Sequence, residues 1–291
     1  MKLSMESYSL VEKFGAYEGF KLIKQAGFDC VDMSYYYQKE DSPLIGEEYR
    51  EYARQLRSFL DELGLVCNQA HAPFAFKHGE PLDITSPNYL AIVRSMESAS
   101  ILGAKAIIVH SICVKKGSQP CFDHEYNLAY FKSLQSFCEK FNIKIAVENL
   151  FVLDNKRNSY MGRLGTASEL CAFIRELDSP YFVACVDIGH AAMTDGEPEE
   201  FLAGMDVDFL AALHIQDGNY HEDCHTIPYL GGFHWTEIMK TLKKIGYKGE
   251  LTFEIIKYMK NIPKELTKDA LCFAEKIGRH LISIFDGEKD C

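Results

Sequence analysis

The stretch Ile101-Leu102-Gly103-Ala104-Lys105-Ala106-Ile107-Ile108-Val109-His110 decides how the chain is read. A helical segment stops at a glycine, and a short apolar run follows and stops at a polar residue. Glycine is the usual residue after the last helical one, because it takes the left-handed conformation without a Cβ penalty. The same cadence runs from Lys24-Gln25-Ala26-Gly27-Phe28 to Val31-Asp32, and from Glu62-Leu63-Gly64-Leu65 to Gln69-Ala70-His71. It returns from Lys244-Ile245-Gly246-Tyr247 to Leu251-Thr252-Phe253-Glu254. Three further runs lack the glycine but end alike: 143–148 at Glu148, 182–187 at Asp187 and 210–214 at His214. With a first strand near Leu3-Ser4-Met5, this predicts eight strands. Near-continuous apolar strands separated by helices imply a parallel sheet covered on both faces.

The intervening periodicity predicts helices at about 17–26, 48–63, 88–102, 124–141, 167–177, 198–204, 235–245 and 264–285. Thr166 with Glu169 forms a capping box at the start of the fifth. Eight such units in 291 residues average about 36 each, the scale of an α/β (β/α)8 TIM barrel. The expectation is one barrel domain over 1–291. A doubly wound sheet would carry a Gly-rich phosphate loop after an early strand, and none occurs.

Composition narrows the function. With 47% apolar and 25% charged residues the chain is neither disordered nor fibrous. The net charge of −11 argues against a nucleic-acid partner, which usually needs a basic footprint. No apolar run approaches membrane-spanning length, and an acid, Glu6, falls where a signal peptide would be apolar, so a cytoplasmic location is expected. The ten cysteines contain no C-x-x-C pair, so neither a disulfide framework nor a cysteine zinc site is expected.

In a barrel, the residues ending the strands converge on the C-terminal mouth. Here they are Asp32, His71, His110, Glu148, Asp187, His214 and Glu254. A lone histidine or glutamate after a strand is an ordinary loop hydrogen-bonder; gathered carboxylates need a cation. Glu148, Asp187, His214 and Glu254 come from four consecutive strands and offer mostly oxygen ligands. That set suits one divalent ion, Mn, Mg or Co, with Zn also open. His190, Asp223 and His225 are further candidates in loops, whereas His221 and His234 read as solvent-facing. Arg157 and Arg163, with Lys156, could receive a phosphate through the planar guanidinium fork, or Asp154-Asn155-Lys156-Arg157-Asn158 is simply a solvated polar loop. Tyr35-Tyr36-Tyr37, Phe74 and Phe76 could wall a pocket or cover the rim, and Trp235 is read as capping the last helix.

At these residues the chain resembles the sugar phosphate isomerase/epimerase family, the xylose isomerase-like barrels. The segments that carry the resemblance are Ala70-His71-Ala72-Pro73-Phe74, Val109-His110, Val147-Glu148-Asn149, Val186-Asp187-Ile188-Gly189-His190 and His214-Ile215-Gln216-Asp217. They continue through Asp223-Cys224-His225-Thr226-Ile227-Pro228 to Trp235 and Phe253-Glu254. By resemblance to the ketose 3-epimerase branch, Glu148, Asp187, His214 and Glu254 hold one divalent metal. Glu148 and Glu254 are the acid/base pair, and His190 contacts a substrate oxygen. The chain departs from the family at Tyr229-Leu230 before Gly231, at Asp32 where a glutamate is usual, and at His234.

The chemistry so implied is proton abstraction next to a carbonyl through a metal-stabilised enediolate. Its outcome is isomerisation or epimerisation of a sugar or sugar phosphate, or dehydration when a β-hydroxyl leaves. The same superfamily contains zinc-dependent apurinic endonucleases holding three Zn ions. All nine of their ligand types are matched here by His71, His110, Glu148, Asp187, His190, His214, Asp223, His225 and Glu254. The phosphodiesterase is therefore the alternative, and a non-catalytic sugar-binding barrel a third reading. The resemblance also leaves a homodimer or homotetramer open.

Overall fold

Gly27, Gly64, Gly103 and Gly246 end their helices in the left-handed region, at φ 108, 61, 93 and 80°. Asn142 and Asp178, at φ 51 and 48°, end two more helices in the same way. Their short polar side chains tolerate that conformation, which is why the runs after them need no preceding glycine.

The computed structural model describes residues 1–36, 42–43, 46–74, 82–116, 119–153, 160–194 and 196–287. Eight parallel strands form the sheet: β1 Leu3–Glu6, β2 Cys30–Ser34, β3 Val66–His71, β4 Ala106–Val109, β5 Lys144–Glu148, β6 Phe182–Asp187, β7 Leu210–His214 and β8 Leu251–Phe253. Their order is β7-β6-β5-β4-β3-β2-β1-β8. The ends meet where Ile215 N donates to Thr252 O at 2.8 Å and Glu254 N donates to Ile215 O at 3.0 Å. The sheet is therefore a nearly closed TIM barrel. Around it lie α1 Ala16–Ala26, α2 Tyr49–Leu63, α3 Pro87–Leu102, α4 His124–Phe141, α5 Ala167–Leu177, α6 Pro198–Gly204, α7 Trp235–Ile245 and α8 Thr267–Asp286. The predicted capping box is present, with Thr166 Oγ1 accepting from Glu169 N and Glu169 Oε2 accepting from Thr166 N, both at 3.2 Å.

The main core lies between strands and helices, around Phe20, Met96, Phe131, Phe173 and Trp235. A second, smaller cluster joins Ala106, Ile108, Ala146, Val183, Cys185 and Ala212. Successive strand residues face opposite ways, so this cluster shares a face with residues two positions on: Ile108 with His110, Ala146 with Glu148, Cys185 with Asp187, Ala212 with His214. The remaining strands contribute a buried polar chain instead. Ser4 Oγ donates to Asn68 Oδ1 at 2.7 Å, Thr252 Oγ1 donates to Gln69 Oε1 at 3.2 Å, and Gln69 Nε2 donates to Asp32 Oδ2 at 2.8 Å.

The loops at the mouth hold elements with no sequence signal: antiparallel hairpins pairing Cys113–Lys116 with Gln119–Phe122 and Leu150–Leu153 with Tyr160–Arg163, and short helices Tyr8–Phe14, Ile188–Thr194 and Ile256–Asn261. The nine described cysteines are free. Among the described residues no helix is long and apolar enough to cross a membrane.

Candidate active site

Period-two alternation brings Glu148, Asp187 and His214 to the ends of β5, β6 and β7, with Glu254 one residue past β8. All four are buried, and one ligand atom from each lies within 4.8 Å of the others. His214 Nδ1 faces this group, 2.6 Å from Glu148 Oε1 and 3.5 Å from Glu254 Oε2. Its other nitrogen, Nε2, is 3.3 Å from Asp32 Oδ2. Asp32 is thus not at a strand end facing the mouth: it lies within β2, fully buried, and holds the ring from below.

Two flanking groups share the mouth. His110 Nε2 lies 2.5 Å from Glu148 Oε2 and 3.0 Å from His71 Nε2, while His71 Nδ1 bonds to Ala72 O at 2.8 Å. On the other side His225 Nε2 is 2.9 Å from Asp223 Oδ2, and His190 Nε2 is 3.7 Å from Asp223 Oδ1. His71, His110 and Glu148 form one potential ligand group, and His190, Asp223 and His225 another. The structure therefore gathers all nine sequence-nominated residues at one mouth.

Burial opposes charge at Glu148, Asp187, Glu254, His110, His190, His214 and His225, so the sign of each shift reports whether burial or the neighbours prevail. Burial raises the Asp187 carboxyl to about 6 despite His190 beside it. Burial lowers the His110 imidazole to about 4. For His190 and His225 burial is outweighed by Asp187 and Asp223, which lift them to about 10 and about 9. His214 likewise overcomes burial through Cys185, Glu254, Glu148 and Asp32 and is held well above its usual range. Glu148 and Glu254 are kept below the ordinary carboxylate range against burial by His214, helped by His110 and His225 respectively. Cys185 shares a group with Glu148 and His214, but burial pushes its thiol up to about 12, leaving the oxygen-rich set as the better cation site. Lys257 and Lys260 line the cavity above, and within the buried cluster itself positive charge comes from imidazole protons or would come from a bound cation. Three carboxylates and one imidazole fit a hard or borderline divalent ion.

Several contributors escaped sequence reasoning. Gln216 Nε2 donates to Asp187 Oδ2 and Asp223 Oδ1, both at 3.0 Å, and its Oε1 accepts from His225 N at 2.7 Å, tying the loop cluster to the strand cluster. Asp217 organises the loop beyond β7: it accepts from Gly218 N, Tyr229 N and Trp235 Nε1, each at 2.8 Å. Glu6, at the end of β1, is buried, and burial plus the nearby Glu254 and Asp32 raise its carboxyl well above the usual range. It shares the alternation of the other strand ends and was legible by the same rule.

The tyrosine run divides. Tyr35 is core and donates to Ser98 Oγ at 2.8 Å, Tyr36 hydroxyl donates to Glu254 Oε1, and Tyr37 lies outside the described residues. Arg157, Lys156 and Phe76 also lie outside the described residues. Arg163 is buried, 8% exposed. His221 and His234 face solvent as expected, while Trp235 is buried at the start of α7 and not at the last helix, α8. A cavity of about 380 Å³ opens over Glu148 and Glu254, walled by Tyr8, Tyr36, Phe74 and Phe151, with His110, His190, Asp223 and His225 among its polar lining.

A family model described as xylose isomerase-like TIM barrel matches residues 20–277. An uncharacterised protein of Methanocaldococcus jannaschii is 27% identical over 196 residues, spanning 63% of this chain and 62% of that protein, under two thirds of its length. A D-tagatose 3-epimerase-like protein superposes with a TM-score of 0.74 at 21% identity, covering 99% of both chains. IolI, solved with a bound zinc atom, superposes at 0.71 and 14% identity over 100% of both. The chain belongs to the xylose isomerase-like TIM barrel family.

Proposed function

We infer that this enzyme is a divalent-metal-dependent sugar isomerase or epimerase that moves a proton at a carbon next to a carbonyl. The observation carrying this reading is the buried quartet Glu148, Asp187, His214 and Glu254, with ligand atoms within 4.8 Å, beneath a cavity of about 380 Å³. These four residues would hold the ion. When bound, a divalent ion polarises the substrate's carbonyl oxygen and lowers the cost of removing the adjacent proton. Glu148 and Glu254, held ionised by their histidine neighbours, are the bases available at the cavity floor. One takes the proton, and it or the other returns it. Return to the opposite face gives the epimer, and return to the neighbouring carbon gives the aldose–ketose isomer. Tyr36 hydroxyl, bonded to Glu254 Oε1, orients that carboxylate. His190, with its Nδ1 3.0 Å from Asn149 O, turns Nε2 toward Asp223 and the cavity, where it can meet a substrate hydroxyl. The aromatic walls exclude water and suit a sugar's apolar face. The fold shared with a 3-epimerase-like protein supports the reading.

The test is incorporation of solvent deuterium into a panel of ketoses and their phosphates by the metal-loaded protein, followed by NMR. Glu148→Gln or Glu254→Gln should cut exchange by about 10²–10⁴-fold, the usual share of acid–base catalysis. Full exchange in both variants would overturn the assignment, and sugar binding without exchange would make the chain a binding protein. Product that has lost water would make it a dehydratase.

The two flanking groups favour a second reading, a three-zinc phosphodiesterase. Its mark would be cleavage of abasic DNA, weakened by salt.

A further inference from the structure

A second cavity of about 210 Å³ adjoins the first, and the two share Phe74 and His110 as walls. Its lining includes Arg163, Ser111, Cys113 and Tyr130. The hairpin register pairs Arg163 with Leu150, two residues beyond Glu148, so the guanidinium is anchored beside the end of the proposed catalytic strand.

The polar chemistry of this cavity is incomplete. Arg163 is 8% exposed and Ser111 3%, yet Arg163 Nε and Ser111 Oγ have no hydrogen-bond partner. Arg163 Nη1 donates to Cys113 Sγ at 3.1 Å, and sulfur is a weak acceptor. Among the described residues no carboxylate forms an ion pair with Arg163. A buried guanidinium without a counter-charge costs several kcal/mol, and so does a buried hydroxyl without a partner, if on a smaller scale. Both costs are recovered by a ligand that brings acceptor oxygens and negative charge. The space equals about seven waters at roughly 30 Å³ each, enough for a phosphate or a carboxylate.

We propose that Arg163 and Ser111 form an oxyanion subsite for the end of the substrate remote from the reacting carbon, so that the substrate is an acidic sugar bearing a phosphate or a carboxylate. This rests on the isomerase reading for its substrate and extends it to a substrate class. The guanidinium fork binds two oxygens of such a group, and Ser111 hydroxyl supplies a further donor.

The test is calorimetric titration of inorganic phosphate and of acetate into chelator-treated full-length protein, so that no metal captures the anion. Wild type should bind at least one of them at one per chain. Phosphate alone indicates a sugar phosphate, and acetate alone a sugar acid. Arg163→Gln should weaken that binding by about tenfold or more, and Arg163→Lys should restore part of it. Ser111→Ala should weaken it several-fold without lowering the melting temperature, because the hydroxyl bonds to nothing in the free protein. That variant keeps the test sound if Arg163→Gln fails to fold. No binding of either anion by wild type, or undiminished binding by Ser111→Ala and by any folded Arg163 variant, overturns the subsite. The titration needs neither turnover nor metal, so its failure is distinct from failure of the deuterium-exchange test.

Discussion

Asp217→Ala should loosen the whole loop that carries Asp223 and His225. The Asp217 side chain is fully buried and accepts from Gly218 N, Tyr229 N and Trp235 Nε1 at 2.8 Å each, and from Phe233 N at 3.3 Å. The alanine strands all these donors in a dry site. Counting only the two strong long-range donors, Tyr229 N and Trp235 Nε1, at about 1–3 kcal/mol each gives a loss of about 4 kcal/mol. An unfolding entropy near 2.1 cal/mol/K per residue, over 291 residues, converts this to a melting temperature lower by about 7 °C. Asp217→Asn keeps one acceptor oxygen but turns an NH2 toward backbone donors, and should fall between the two. Differential scanning calorimetry with matched metal measures the shift. A fall of less than about 2 °C for the alanine variant would refute the view that this carboxylate organises the loop.

Gly231→Ala should act on the same network, because its Cβ would meet Asp217 Oδ1 at 2.2 Å and the backbone Gly218 O at 2.4 Å. Overpacking of this kind costs about 1–3 kcal/mol, and the double variant with Asp217→Ala should be less destabilised than the sum in denaturant melts. Metal affinity should be proton-linked. Although burial opposes its charge, His214 is held well above its usual range by Cys185, Glu254, Glu148 and Asp32, so near neutral pH it carries a proton that a metal must displace. Affinity should therefore rise about tenfold per pH unit and level off once the pH passes that raised pKa, with about one proton released per ion. Calorimetry in buffers of different ionisation enthalpy checks it, and a pH-independent affinity would contradict it.

What the sequence made legible was whatever obeys a period. Glycines at 27, 64, 103 and 246 mark helix ends because only the left-handed region fits there, and polar residues two positions after small inward-facing ones mark the mouth. Asn142 and Asp178 serve the same turn with chemistry that also suits loops, so they carry no distinct mark. The hairpins after β4 and β5 are four-residue strands inside connections, too short for alternation to register. Asp32 was nominated by position and lies one layer deeper, because β2 continues two residues past it to Ser34. Gln216 and Asp217 look like ordinary loop polars until their partners, 7 to 29 residues away, are brought together.

Metal content per chain bears most directly on the central assignment. Elemental mass spectrometry on protein purified without chelator or affinity metal should find about one divalent ion per chain, lost in His214→Ala and Asp187→Ala but retained in Asp223→Ala. Three zinc ions per chain, or metal retained when His214 and Asp187 are replaced, would contradict a single four-ligand site.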